Sequence, residues 1–238
     1  PSIAIINGTD IVPVNFAWAV MLAEMIRETN KFDGKEISES EIKGILDRAA
    51  KNVQKIIPVF SKKRIRGDIQ TIYQTIRQIA YREDVTTRVF YMSIGDYAEY
   101  MAAPHRMDLM VSAMTDECGK WQCNQKCVFC YAAGQEMGKT KEMSTEQWKQ
   151  AIDRLDAARV PMVTFTGGEP TMRADIASLV AYAEKMVTRL NTNGINLSSG
   201  LVDELKKAGL DSVQVTLYSH NEEVHNALVG SEHFKDTV

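Results

Sequence analysis

The sequence has 238 residues, 45% of them hydrophobic, which is enough to bury one sizeable core or two small ones. Its formal net charge of -3 lacks the basic excess of most nucleic-acid-binding proteins, so we expect no nucleic-acid partner. No apolar run approaches the ~18 residues of a membrane-spanning helix, and residues 1–13 lack the basic start and long apolar stretch of a signal peptide. We therefore expect a cytoplasmic protein with no membrane partner.

Residues 1–100 predict a mainly helical N-terminal domain. A short apolar stretch, Ile3 to Ile6, precedes Asn15, which can cap a first helix. Ser38 and Glu41 form a capping box for a second helix, whose end is marked by Pro58. A third helix would carry an apolar face made of Ile69, Ile72, Tyr73, Ile76 and Ala80. Such stripes are typical of core packing rather than of binding grooves.

From about residue 108 the pattern changes to short apolar strands that alternate with amphipathic helices. The predicted strands are 109–114, 162–166, 187–190 and 213–217, and the predicted helices are 145–158, 173–186 and 200–208. The helix at 145–158 starts with another capping box and turns Trp148, Ile152 and Leu155 inward. This order predicts right-handed βαβ units and a parallel sheet, in which ligands bind at the carboxyl ends of the strands.

Unusual sequences follow each of the four predicted strands. The cysteines follow the first strand and Gly167-Gly168-Glu169-Pro170 the second. Thr192-Asn193-Gly194 follows the third strand, and Tyr218-Ser219-His220-Asn221 follows the fourth. One site built from four successive strand ends is the simplest interpretation.

All four cysteines lie between positions 118 and 130, and the odds of such clustering by chance are on the order of one in a thousand. Disulfides explain it poorly, because a chain of this size has enough core to fold without them. Cys123, Cys127 and Cys130 form a C-x3-C-x2-C loop, whose three thiolates suit three corners of a cubane cluster. The fourth iron would then have an open coordination position.

The alternative is a structural zinc site with Cys118 as the fourth ligand, in a non-enzymatic interaction module. Zinc sites usually pair two short cysteine knuckles across a longer spacer, whereas these cysteines are strung together as C-x4-C-x3-C-x2-C. The pair Gly167-Gly168 weighs against zinc, because glycines at the next strand end allow the backbone to approach a ligand closely.

Taken together, these motifs resemble the radical S-adenosylmethionine (SAM) superfamily. The matching elements are the C-x3-C-x2-C loop with Phe129 before its last cysteine, Gly167-Gly168-Glu169-Pro170 and Thr192-Asn193-Gly194, within residues 108–238. The resemblance implies an α/β fold with a partial (βα) TIM-like barrel. It also implies a [4Fe-4S] cluster that reductively cleaves SAM to a 5′-deoxyadenosyl radical, which abstracts a substrate hydrogen. An electron donor such as flavodoxin or ferredoxin would supply the electron.

The resemblance also implies a role for individual residues. Cys123, Cys127 and Cys130 would bind the cluster. The backbone of Phe129 would lie beside the adenine, and Gly167, Gly168 and Glu169 would meet the amino group of SAM. The remaining SAM contacts implied are Asn193, Thr216 and Ser219.

Two features depart from the family pattern. Cys118 precedes Cys123, but because its spacing to Cys127 is too long for the motif, we interpret it as a free thiol rather than a ligand. The family's barrel has six βα units, whereas this chain stops after the fourth predicted strand. We therefore expect residues 101–238 to be a truncated radical SAM core, with any auxiliary clusters lying beyond Val238.

The motifs leave the substrate open. A domain ahead of the barrel favours docking of a ribosomally made peptide or protein, as in the peptide-modifying members of the family. Many of those members use a winged-helix leader-binding domain, but residues 1–100 predict only one short strand. The alternative among enzymes is the biosynthesis of a cofactor or another small molecule.

Overall fold

The structure is a computed structural model that describes residues 2–6, 10–32, 35–131 and 141–238. The chain divides into two compact units, Pro1–Met101 and Ala102–Val238. Each unit has its own hydrophobic core. None of the helices in the described ranges is long and apolar enough to cross a lipid bilayer.

The first unit combines a β-hairpin with a bundle of helices. Its elements in chain order are β1 (Ser2–Ile6), β2 (Asp10–Val14), α1 (Phe16–Thr29), a 3-10 turn (Asn30–Phe32), α2 (Glu39–Ile56), α3 (Lys62–Ala80) and the short α4 (Ile94–Ala98). The core lies among the three long helices, where Met21 of α1, Val53 of α2 and Ile69 of α3 are almost fully buried.

The predicted helix starts are confirmed. Asn15 accepts a hydrogen bond from the Trp18 N–H at 2.9 Å, and Ser38 forms its capping box with Glu41 at the start of α2. Helix α2 ends two residues before Pro58. The predicted face of α3 is mostly inward, but Ala80 is exposed and Ile79 is buried instead.

The hairpin corrects the expectation of a single short strand in this part of the chain. Strands β1 and β2 pair antiparallel, from Ser2 opposite Val14 to Ile6 opposite Asp10. Asn7-Gly8 between two apolar runs is a strong hairpin signal, although residues 7–9 lie outside the described residues. Pro13 argues against a second strand when only the sequence is considered. Proline cannot donate a backbone hydrogen bond to a sheet and is tolerated only where its nitrogen faces an edge.

The second unit is a parallel four-stranded sheet in the order β3-β4-β5-β6. Its strands are β3 (Arg106–Ser112), β4 (Met162–Gly167), β5 (Val187–Thr192) and β6 (Ser212–Val215). Helices α5 (Thr145–Ala157), α6 (Ile176–Tyr182) and α7 (Ser199–Lys207) connect them, and α8 (Glu222–Val229) and α9 (Phe234–Thr237) follow β6. This is the predicted α/β fold, an open sheet of the partial-barrel type.

Several predicted boundaries are shifted. Strand β3 covers 106–112 rather than 109–114, and β6 covers 212–215 rather than 213–217. The helix predicted at 173–186 is shorter, since α6 starts at Ile176 after a 3-10 turn at Pro170–Met172. Arg173 explains the late start, because its guanidinium donates to the carbonyl of Val111 at 3.1 Å and pairs with Asp175 at 2.7 Å.

The core of the second unit lies between the sheet and its helices. Phe165 of β4 and Leu190 of β5 are fully buried against Ile152 of α5 and Leu179 of α6. The inner face predicted for α5 is confirmed, since Trp148 and Leu155 also pack against this core. The parallel arrangement brings the carboxyl ends of the strands to one edge, where the unusual sequences meet.

Candidate functional site

A cavity of about 230 Å³ opens at the carboxyl ends of the strands of the second unit. The thiol-bearing residues Cys123, Cys127 and Cys130 line it. Six of the seven residues that the family resemblance implied as SAM contacts line it too: Phe129, Gly167, Gly168, Glu169, Asn193 and Thr216. The sequence analysis therefore predicted correctly which strand ends converge.

Ser219 is the exception among the predicted residues. It is not among the cavity-lining residues in the described part of the chain. Its hydroxyl instead accepts a hydrogen bond from the Asn221 N–H at 3.0 Å, just before α8 begins. Tyr218, one residue earlier, lines the cavity, so the chain leaves the cavity wall at this point.

Several lining residues were not anticipated, among them Trp121, Gln125 and Gln214. Gln125 had a local signal, because it lies between two cysteines of the C-x3-C-x2-C loop. Gln214 lies within the predicted fourth strand, where alternation alone does not say which face meets a ligand.

The three cysteine side chains are half-buried and free, while Cys118 is exposed. Burial, with smaller contributions from the nearby Glu169 carboxylate and the other two cysteines, raises the pKa of the Cys123 thiol to about 11. Burial, with a smaller contribution from Cys130, also raises the pKa of Cys127. The thiols of Cys123 and Cys127 therefore hold their protons at neutral pH, and a metal that binds there would have to displace these protons.

Backbone hydrogen bonds from the end of α8 hold the cysteine loop. The Lys126 N–H donates to the carbonyl of Val229 at 2.9 Å, and the Val128 N–H donates to that of Leu228 at 3.0 Å. Gly230 permits this close approach, since it has a φ of +63° and a Cβ there would lie 2.7 Å from the Lys126 carbonyl oxygen. The loop is thus fixed by a segment 100 residues further along the chain.

The segment around Cys118 forms a closed turn of its own. The Asp116 carboxylate accepts hydrogen bonds from the Cys118 N–H at 3.0 Å, the Lys120 N–H at 2.8 Å and the Gln122 side chain at 3.2 Å. This turn places Cys118 on the surface, apart from the residues that line the cavity.

The cavity holds three of the four cysteines. Within the described ranges, no group of three or more His, Cys, Asp or Glu side chains is arranged to hold one metal ion. A zinc ion would draw each thiolate to about 2.3 Å from itself. The thiolates of a cubane bind separate iron atoms and so lie further apart. Because Cys118 lies on the surface, the cavity offers three cysteines, the number that a cluster with one open iron needs and one fewer than a four-cysteine zinc site.

The two glycines of the Gly-Gly-Glu-Pro motif are required by the neighbouring strand. Gly167 has a φ of +132°, and a Cβ there would lie 2.2 Å from the Ser112 carbonyl oxygen. A Cβ on Gly168 would lie 3.0 Å from the Ala113 carbonyl oxygen and 3.3 Å from the Cys123 Cβ. The motif therefore packs the end of β4 closely against the end of β3 and against Cys123, a reason that the sequence alone did not provide.

Glu169 is a buried carboxylate that connects two strand ends. Its Oε1 accepts hydrogen bonds from the Thr171 N–H at 2.9 Å, the Thr171 hydroxyl at 2.5 Å and the Thr192 hydroxyl at 2.7 Å. Its Oε2 accepts from the Asn193 N–H at 2.8 Å. Oε1 thus accepts three hydrogen bonds and Oε2 only one, so Oε2 retains capacity for a further donor.

The charge of the cavity favours a cationic ligand. Glu169 is 1% exposed, and none of the described lining residues is a lysine, arginine or histidine. All four of its hydrogen-bond donors are neutral. Because a buried carboxylate is costly without a positive partner, a positively charged group in the cavity would be stabilised.

Aromatic rings support the cysteine loop from the other side. The Phe129 ring meets that of Tyr218 edge-on, with centroids 4.6 Å apart. His225, which is fully buried, accepts a hydrogen bond from the Tyr218 N–H through Nδ1 at 3.3 Å and contacts the Phe234 ring with centroids 5.5 Å apart. Helices α8 and α9 thereby fix the aromatic residue between Cys127 and Cys130.

Comparisons with known proteins agree with this site. Residues 122–238 match the model of the Radical SAM superfamily. Among curated proteins, the Fe-coproporphyrin III synthase of Methanosarcina barkeri (strain Fusaro / DSM 804) is 42% identical over 98 residues, which are 40% of this chain and 25% of that protein. The chain thus spans a quarter of the length of this relative.

Two solved structures are similar to the chain at low identity. Streptococcus suis SuiB bound to the precursor peptide SuiA has a TM-score of 0.49 and 16% identity, over 96% of this chain and 47% of that one. BtrN in complex with AdoMet and 2-DOIA has a TM-score of 0.41 and 19% identity, over 56% of this chain and 53% of that one. The chain spans about half of each.

The family match covers the cysteine loop and the strand ends that line the cavity. Proteins of this family use a [4Fe-4S] cluster together with SAM. Over residues 122–238, just under half of the chain, the sequence therefore matches the radical SAM superfamily.

Proposed function

We propose that this chain is a radical SAM enzyme in which Cys123, Cys127 and Cys130 ligate a [4Fe-4S] cluster. The observation that carries the proposal is that these thiols and the buried Glu169 carboxylate line one cavity. Bound there, the cluster and SAM supply a 5′-deoxyadenosyl radical that abstracts a hydrogen atom from the substrate. A reduced flavodoxin or ferredoxin would supply the electron.

The remaining lining residues have the chemistry that SAM requires. SAM carries a sulfonium and an ammonium group, and Glu169 Oε2 has an acceptor position left for a cationic donor. Phe129 is 46% exposed and so offers backbone and ring surface to a flat base. Gln214 and Thr216 add polar side chains to the cavity lining, to which a ribose could bind. These residues position the cofactor and exclude water from it.

The proposal predicts SAM cleavage by the purified protein. Reconstituted with iron and sulfide under anaerobic conditions, and reduced with dithionite, the protein is expected to convert SAM to 5′-deoxyadenosine and methionine. Chromatography with mass detection measures the product. If the protein carries one zinc ion, shows no absorbance near 400 nm and forms no 5′-deoxyadenosine, the proposal is wrong and the zinc module is the better interpretation.

Substituting Glu169 with glutamine is expected to weaken SAM binding. The change removes the negative charge and places an amide N–H₂ opposite donors that need an acceptor. Hydrogen bonds to charged groups contribute about 1.5–3 kcal/mol, so we expect the dissociation constant for SAM to rise roughly tenfold or more. Equilibrium dialysis of the reconstituted protein measures it.

A matched control comes from the exposed Glu146, which lies in the first turn of α5 and is 3.0 Å from Lys149. The Glu146→Gln variant is expected to bind SAM like the parent protein. Equal affinities for the parent and the Glu169→Gln variant, at equal iron content, would contradict the role of Glu169.

We propose further that the substrate is a ribosomally made peptide or protein, which docks on the hairpin of the first unit. The Met92 N–H donates to the Ile11 carbonyl at 2.8 Å from outside the hairpin. Because hydrogen-bonded and non-hydrogen-bonded pairs alternate in an antiparallel ladder, the opposite residue Ile5 directs its own N–H and C=O away from β2. The outer edge of β1 therefore presents the N–H and C=O groups of Ile5 on the side away from β2. Sheet edges of this kind bind extended peptides through main-chain hydrogen bonds.

The docking proposal is tested with a phage-displayed library of random peptides panned on the full chain. We expect enriched peptides to protect amides within residues 2–14 from hydrogen exchange. Ile5→Pro, which removes the outward N–H, should abolish the binding, whereas the control Ile5→Val should retain it. Failure to enrich any peptide, or protection confined to other residues, would contradict this substrate class.

The second candidate is a small-molecule reaction in cofactor biosynthesis. It is favoured by the 42% identity to a protein named Fe-coproporphyrin III synthase, although the match covers only 98 residues. This alternative predicts 5′-deoxyadenosine formation stimulated by a free iron porphyrin without any peptide. Stimulation by an iron tetrapyrrole that the protein converts to iron coproporphyrin III would support it, and stimulation only by the enriched peptides would exclude it.

A further inference from the structure

We propose that Gln125 donates an N–H···S hydrogen bond to the iron–sulfur centre and so raises its reduction potential. This inference rests on the proposed function, because it requires the cluster that Cys123, Cys127 and Cys130 would hold. It assigns a positioning and tuning role to a residue that the cysteine motif itself leaves unspecified.

The Gln125 amide has no acceptor of its own. Its side chain is 4% exposed and lines the cavity beside the cysteines. Its Nε2 is buried, and no described atom accepts a hydrogen bond from it. A buried donor without an acceptor costs about 1–3 kcal/mol, so this arrangement is unfavourable unless a ligand supplies the acceptor.

The hydrogen bond at the oxygen of the Gln125 side-chain amide indicates that a cysteine sulfur is the missing acceptor. The Cys127 thiol donates to Gln125 Oε1 across 3.8 Å. A cysteine that ligates iron has lost its proton and can only accept. Gln125 Oε1 then loses its hydrogen-bond donor. A rotation of the side-chain amide by about 180° would place the N–H₂ group beside the sulfur instead.

The neighbouring amide does not have this freedom. Asn124 accepts a hydrogen bond from the Asn193 side chain at 2.7 Å, which fixes its oxygen between the two loops. The backbone of Gln125 is also fixed, because its carbonyl accepts from the Trp121 indole at 2.7 Å. Gln125 therefore combines an anchored main chain with an amide that can rotate beside the thiols.

A hydrogen bond to a cluster sulfur stabilises the reduced state, which carries one more negative charge, and so raises the potential. Gln125→Met keeps the length of the side chain and removes the donor. We expect the reduction equilibrium to shift by about tenfold toward the oxidised cluster, which is about 59 mV for a one-electron couple. Redox titration followed by electron paramagnetic resonance measures the midpoint.

Gln122→Met is the matched control. Gln122 is in the same loop, but its amide already donates to Asp116 at 3.2 Å, so its loss should leave the midpoint unchanged. An unchanged midpoint in Gln125→Met, at full iron content, would overturn the inference while the proposed function stands. Absence of a cluster in the parent protein would instead overturn the proposed function.

A second measurement needs no substitution at Gln125. In protein labelled with ¹⁵N in the glutamine side chains, the reduced cluster should show hyperfine coupling to ¹⁵N, and the coupling should persist in Gln122→Met. Absence of this coupling from a parent protein with full iron content would overturn the hydrogen bond, even if Gln125→Met failed to fold.

Discussion

Cys127→Ala is expected to abolish cluster binding, lowering the iron content of the reconstituted protein to background. Three thiolates hold the cluster in the proposed site, and the described residues around the cavity offer no fourth cysteine to replace one that is lost. The variant should also lose the absorbance near 400 nm and all 5′-deoxyadenosine formation. Iron analysis and absorbance of the anaerobically reconstituted protein measure the loss of the cluster, and chromatography measures the loss of 5′-deoxyadenosine.

Cys118→Ala provides the matched control. Its thiol is exposed and its backbone belongs to the turn closed by Asp116, so removing it should leave the iron content unchanged. Loss of metal in Cys118→Ala, together with zinc in the parent protein, would restore the four-cysteine zinc site. Full iron content in Cys127→Ala would contradict the assignment of the ligands.

Gly167→Ala is expected to destabilise the second unit severely. The new Cβ would lie 2.2 Å from the Ser112 carbonyl oxygen, and the backbone φ of +132° is strained for any residue with a side chain. Strand β4 would have to move away from β3 at the point where the motif meets Cys123. We expect a loss of about 4 kcal/mol or more in the free energy of unfolding, or failure to fold.

Gly209→Ala separates the steric clash from backbone strain. Gly209 also has a positive φ, +82°, but a Cβ there would meet nothing within 4 Å. Its substitution should cost only the roughly 1–2 kcal/mol of the left-handed conformation. Urea denaturation of the two variants compares them, and equal destabilisation would contradict a specific contact between Gly167 and Ser112.

Sequence patterns predicted those features of the second unit that depend on neighbouring residues. The alternation of apolar strands and amphipathic helices predicted the parallel sheet, because helices that connect and cover parallel strands impose that pattern locally. The cysteine spacing and the Gly167-Gly168 pair identified two walls of the cavity, since backbone conformation and ligand chemistry restrict the residue types there.

The features that sequence patterns missed depend on contacts between distant segments. The anchoring of Lys126 by Val229 uses backbone groups, which leave no side-chain signature. The hydrogen bonds of Glu169 to Thr192 and Asn193 join two strand ends that only the folded sheet brings together. Ser219 lies outside the described lining of the cavity because the chain turns into α8 directly beyond β6.

In the first unit, the prediction of caps succeeded and the prediction of strands did not. Asn15 and Ser38 are recognised by their own hydrogen bonds to the first helical turn. Strand β2 contains Pro13, a residue that argues against a strand unless the pairing partner is known. The edge of β1 that we propose for peptide docking is therefore defined only by the register of the hairpin.

The central claim is that three cysteines leave one iron open and that SAM binds to it beside Glu169. The most direct test is electron-nuclear double resonance on the reduced, reconstituted protein with SAM labelled by ¹⁵N in its amino group and ¹⁷O in its carboxylate. We expect hyperfine coupling of both labels to the cluster. A cluster that shows neither coupling while SAM is bound at saturation would contradict the open-iron site.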